Sequence, residues 1–181
     1  VIPLIIGSTH DMDYGQYMAY EQFEKLISVV NVDATLDLES EPTLGLNKHH
    51  THKILMHEPN YLFNFANLGY QSFLNDPETL NILERLYFEN YRIGQIKDRI
   101  EEIEPVIRQG DMMSFDITAI RISDAPGNPN ATPFGLTGEE ACQIAWYAGM
   151  NNKLSSFGVY EYNPTEDFKG ATASVIATML W

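Results

Sequence analysis

Residues 29–39, VVNVDATLDLE, run from β-branched apolar residues directly into two acids four positions apart. Val29, Val30 and Val32 have the pattern of a short buried strand, and Asp33 and Asp37 follow just past its end. In parallel α/β sheets ligands gather outside the carboxyl ends of the strands. Two carboxylates delivered there call for a cation or a cationic substrate. The pattern recurs where residues 1–6 run into Gly7-Ser8-Thr9-His10, and where residues 112–117 carry Asp116. Each aspartate alone would pass as a turn or cap residue. At separate strand ends, His10, Asp33, Asp37 and Asp116 form a candidate site instead. Oxygen-rich donors with one imidazole favour a hard or borderline ion such as Mn²⁺ over zinc held through sulfur.

The composition narrows the field around that site. Eleven basic residues against 25 acidic ones give a net charge of −14 over 181 residues, which disfavours nucleic acid and anionic membrane surfaces as partners. The single cysteine, Cys142, excludes an intrachain disulfide, and its place in an apolar helical run suits packing. No apolar stretch is long enough to span a bilayer and no signal peptide is visible, which fits a cytoplasmic location. The length suits one α/β domain over residues 1–181. The chain opens on Val1 within a strand-like run and stops at Trp181 within a helical one, so it is expected to be a piece of a longer protein lacking elements at both ends.

Taken in order, residues 1–6 form a strand, 14–26 a helix and 28–32 the next strand, a βαβ unit that implies parallel pairing. Residues 40–47 are loop-like. His49, His50, His52 and His57 follow close together but match no compact zinc spacing, so most are expected in a solvated loop, with a proton shuttle as the functional alternative. Further strands are expected over 61–68, 86–91, 112–117 and 154–162. Helices are expected over 75–84, 93–109, from Thr137 to Gly149, and 172–181. Ile96, Ile100, Ile103 and Ile107 share one face of the second of these, and Thr137 with Glu140 has the spacing of a capping box. The long loop 118–133 is of a kind that is usually functional.

Several of these segments, in register, resemble the ureohydrolases, the arginase, agmatinase and formimidoylglutamase group. Gly7-Ser8-Thr9-His10 resembles the family's Gly-Gly-Asp-His turn. Asp33-Ala34-Thr35-Leu36-Asp37 is similar to Asp-Ala-His-x-Asp, and Ser114-Phe115-Asp116-Ile117-Thr118 to Ser-Phe-Asp-x-Asp. Residues 125–137 resemble the stretch that follows, and Glu161-Tyr162-Asn163-Pro164 resembles the Glu-x-Asn-Pro motif whose acid holds the substrate's guanidinium. The resemblance implies a three-layer α/β/α fold with a mainly parallel sheet. It also implies metal-dependent C–N hydrolysis of a small cationic amidine or guanidine, and assembly into a homo-oligomer.

Carried over residue by residue, the family's first metal falls to His10, Asp33, Asp37 and Asp116, with Asp116 also at the reaction centre. Glu161 falls to the substrate and His50 to a proton shuttle. The second metal requires a His at Thr35 and an Asp at Thr118, and both are threonine. One Mn²⁺ is therefore expected, with the second site in doubt. Arg121 stands where the family places another acid; it either substitutes for the missing ion's charge or pairs with Asp124. Two functions follow. One is an amidinohydrolase, with a formimidoylglutamase favoured because the region after Asp37 lacks the loop with which arginases grip arginine. The alternative is a catalytically impaired homologue serving as a ligand-binding or assembly scaffold, favoured by Thr35 and Thr118.

Overall fold

In a computed structural model, which describes residues 1–38 and 46–181, six strands join in one sheet. They are β1 (Leu4–Ile6), β2 (Ile27–Val32), β3 (Leu62–Tyr70), β4 (Glu89–Arg92), β5 (Met112–Asp116) and β6 (Ser156–Tyr160), in the spatial order β1-β6-β5-β2-β3-β4. Every pairing among them is parallel. Parallel neighbours cannot be joined by a tight hairpin, so the connections cross the faces of the sheet, mostly as helices. These are α1 (Met12–Glu21), α2 (His50–Leu55), α3 (Pro77–Arg85), α4 (Ile93–Asp98), α5 (Glu104–Ile107), α6 (Gly138–Gly149) and α7 (Ala171–Leu180).

Side chains alternate between the faces along each strand, which splits the apolar residues into two cores. Val29, Phe65 and Met112 pack with Tyr17 and Tyr20 of α1, Ile54 of α2 and Leu83 of α3. Val30, Val32, Met113 and Phe115 pack with Ile96, Ile107, Ile144 and Ile176 from α4 to α7. The result is the expected three-layer α/β/α arrangement. No helix among the described residues is long and apolar enough to cross a membrane.

The local signals mostly hold. The Thr137 hydroxyl accepts the Glu140 N–H at 3.0 Å while Glu140 accepts the Thr137 N–H at 2.7 Å, completing the capping box of α6. Asp76 caps α3 through the Glu78 N–H at 2.9 Å. The helix expected over 93–109 is broken instead. It divides into α4, a 3₁₀ turn over Ile100–Ile103 and α5, because Arg99 leaves the helical region (φ −147°, ψ 75°) and Pro105 can offer no N–H to a continuous ladder. Ile96, Ile103 and Ile107 still reach the core. Residues 40–45 of the expected 40–47 loop, with Glu39, lie outside the described residues, and Leu46–Lys48 forms one 3₁₀ turn.

Candidate metal centre

The strand order decides which residues meet. β1, β6, β5 and β2 are consecutive in the sheet, so the residues that follow them share one edge. His10 lies in the turn after β1, Asp33 directly after β2, Asp116 at the end of β5 and Glu161 directly after β6. All four are buried, as is Asp37. Asp37 and Glu161 are also non-glycine residues in the left-handed region, at φ 46° and 64°. Such a backbone costs about 1–3 kcal/mol and persists where the surroundings hold it, commonly at functional sites.

His10, Asp33, Asp37 and His50 each offer a donor atom, and the four atoms lie within 4.8 Å of one another. Two donors each ~2.0–2.6 Å from one ion stand about 3–5 Å apart, so this spacing suits one ion. Asp116 flanks the group, its Oδ2 lying 3.0 Å from His10 Nδ1. The His10 Nδ1 is also 3.2 Å from Asp33 Oδ2 but off the line of a hydrogen bond, and that fully buried oxygen accepts none. A buried carboxylate oxygen without a donor is costly unless something else supplies positive charge. The residues present therefore fit a divalent cation.

The electrostatics agree. Burial, then the charges of Asp116 and Asp37, push the Asp33 carboxyl up to about 7. Burial also raises Asp37, but hydrogen bonding and charge from His50, with the charge of His10, outweigh it and hold Asp37 below its usual value. Burial lowers His10, yet its hydrogen bond to Asp116, the adjacent Asp33 carboxylate and the charge of Asp13 leave it well above an ordinary histidine. His50 is likewise opposed by burial and carried up to about 9, chiefly by the charge of Asp13. Burial and the charge of Asp116 raise Glu161. Crowded acids of this kind are the surroundings that a cation relieves.

The two threonines do not stand in for ligands. The Thr35 N–H and hydroxyl both reach Asp33 Oδ1, at 2.8 and 3.2 Å, and the Thr118 N–H reaches Asp116 Oδ1 at 2.6 Å. Both residues, with Asp37, Asp116, Glu161 and Lys48, line a cavity of about 200 Å³ beside the quartet. Arg121 is not there: its Nε donates to Asp124 at 2.8 Å on the surface, so it offers no replacement charge. Glu161 Oε1 accepts the main-chain N–H of His10 at 3.0 Å, and its Oε2 accepts from Asn128 at 3.1 Å.

Of the clustered histidines, only His50 enters the site. The His49 and His52 rings stack at 4.7 Å, and His57 lies within hydrogen-bond distance of Tyr14 and Glu21. Sequence reasoning missed Asp13 and Asn128. Asp13 carried a signal, since it shares the buried stripe of α1 with Gln16, Tyr17 and Tyr20, and an acid on an apolar stripe needs a partner.

Comparison with known proteins matches the chain to a family. The model of the arginase family matches residues 1–181. The formimidoylglutamase of Bacillus subtilis (strain 168) is 24% identical over 188 residues, covering 99% of this chain and 59% of the relative. That of Staphylococcus aureus (strain MSSA476) is 28% identical, with 97% and 58% covered. The crystal structure of Trypanosoma cruzi formiminoglutamase with Mn²⁺ superposes with a TM-score of 0.88 at 19% identity, over 99% of this chain and 63% of that one. The chain thus spans less than three-fifths of the length of these curated relatives.

Proposed function

Because the chain belongs to the arginase family, we propose that it hydrolyses a C–N bond of a small linear amidine or guanidine at a single divalent ion, with Mn²⁺ the ion of choice. The observation that carries this reading is the quartet of His10, Asp33, Asp37 and His50 donors within 4.8 Å of one another, together with a buried Asp33 oxygen that accepts no hydrogen bond. His10, Asp33 and Asp37 hold the ion, with Asp116 beside them. When bound, the ion supplies the Lewis acidity that makes water nucleophilic at neutral pH. Glu161 orients the substrate: its carboxylate, fixed by His10 and Asn128, suits a planar cationic amidine through charge-assisted hydrogen bonds.

The finer reading is a formimidoylglutamase. The cavity of about 200 Å³ has three acids, Asp37, Asp116 and Glu161, and one cation, Lys48, in its lining. That polarity suits a short molecule with an amidine at one end and a carboxylate at the other, and the relatives named formimidoylglutamase agree with it. A homo-oligomer and a cytoplasmic location belong to the same reading. The test is elemental analysis of the Mn²⁺-loaded, desalted protein, followed by assay of formimidoylglutamate, agmatine and arginine. One ion per subunit, lost in Asp33→Ala, with formimidoylglutamate hydrolysed, supports the proposal; no bound ion sinks it.

One observation favours a second reading, a catalytically impaired scaffold. Thr35 and Thr118 spend their backbone N–H groups on Asp33 and Asp116 and bring no carboxylate or imidazole to a second ion. A few kcal/mol less transition-state stabilisation costs on the order of a hundredfold or more in rate.

A further inference from the structure

Asp13 belongs to none of the motifs above, yet it joins the two imidazoles of the site. It lies on the first turn of α1 and is 1% exposed. Its Oδ2 accepts the Ser114 hydroxyl at 3.2 Å and lies 2.8 Å from His50 Nδ1. Ser114 Oγ lies in turn 2.7 Å from His10 Nε2. A hydroxyl has one proton. With that proton given to Asp13, Ser114 can only accept from His10, which places a His10 proton on Nε2 and makes Nδ1, 3.0 Å from Asp116 Oδ2 and 3.2 Å from Asp33 Oδ2, the nitrogen available to an ion held among those carboxylates. The same carboxylate draws the His50 proton to Nδ1, leaving the Nε2 lone pair, 3.2 Å from Asp37 Oδ2, turned into the quartet. A ligating histidine is commonly fixed through its other ring nitrogen in this way.

His50 is poorly placed to carry protons. It is 0% exposed, the His10 ring covers one face of it at a centroid distance of 3.9 Å, and it is not among the residues lining the cavity. A shuttle needs contact with substrate or water.

We propose that His50 is a resident metal ligand in this chain, and that Asp13 is the positioning residue that sets both imidazole tautomers so that Nδ1 of His10 and Nε2 of His50 face one ion. This rests on the reading that the site holds a divalent cation. The hydrogen-bond-free Asp33 Oδ2 supports it independently of Asp13.

The test is pulsed EPR on the purified protein carrying ¹⁵N-histidine and loaded with Mn²⁺, which counts directly bound imidazoles. Two coupled imidazole nitrogens are expected. One ion with a single imidazole overturns the inference and leaves the metal reading standing; no bound Mn²⁺ overturns both. Asp13→Ala is expected to lower Mn²⁺ affinity by about 10–100-fold and the imidazole count to one. Asp13→Asn, whose amide oxygen can still accept both hydrogen bonds, is expected to restore the count. Should Asp13→Ala fail to fold, the imidazole count of the wild-type protein decides alone.

Discussion

Glu161 Oε1 accepts the main-chain N–H of His10 at 3.0 Å, tying the proposed substrate acid to the turn that presents a proposed ligand. Two substitutions separate the jobs. Glu161→Gln keeps an acceptor for His10 but loses the charge, so KM for an amidine should rise about 10–100-fold, matching ~1.5–3 kcal/mol for a charged hydrogen bond, with Mn²⁺ content unchanged. Glu161→Ala should lower Mn²⁺ affinity as well, because the buried His10 N–H then lacks its partner. Steady-state kinetics with elemental analysis check both, and equal metal loss in the two variants counts against the division.

Restoring the absent ligands is the direct test of ion number. Thr35→His with Thr118→Asp should raise bound Mn²⁺ from one to two per subunit and amidine hydrolysis by on the order of a hundredfold. Elemental analysis and rate measurement check it. A wild-type protein as fast as the double variant removes the case for an impaired scaffold.

The surface pair Arg121–Asp124 has a pH signature. Its hydrogen bond with Arg121, with help from the Gly138 N–H at the start of α6, brings the Asp124 carboxyl down to about 2. A carboxyl depressed on folding contributes stability that is present above its unfolded value near 4 and is lost as pH falls towards 2. Asp124→Asn should therefore lower Tm at pH 7, and the difference from wild type should shrink between pH 4 and 2. Thermal unfolding across that range checks it.

Gly158 tests the packing behind the site. A side chain there would run into the Tyr160 ring, which folds back over the glycine on β6. The Tyr160 hydroxyl donates to Gln16 at 2.6 Å, and its ring lies 5.2 Å from that of His10. Gly158→Ala should destabilise by about 1–3 kcal/mol and weaken metal retention by displacing His10. Denaturant unfolding and metal titration of the variant check the two effects.

The parts of the site legible in the sequence were those at strand ends. Asp33, Asp37 and Asp116 follow apolar runs, and an acid in that position announces itself because the runs themselves locate the sheet edge. His10 and Glu161 became legible through the resemblance as well as through position. Less could be read where a contact returns from a distant helix. Asp13 sits on the buried side of α1, and nothing local says that His50 of α2 and Ser114 of β5 will meet it there. The alternatives left open for Arg121 needed a side-chain direction, which spacing does not supply. The break at Arg99 was hidden because the isoleucines keep a helical spacing while the backbone between them changes type.

The turns at Asp33 and Asp116 are closed by the main-chain N–H groups of Thr35 and Thr118. Main-chain N–H groups are common to every residue but proline, so these two closures survive a change of side chain, with only the Thr35 hydroxyl bond to Asp33 given up. On the proposed one-ion reading, exchange at these two points would add or remove ligands without refolding the loops. Loop shape and ligand set are thus separable at these two positions.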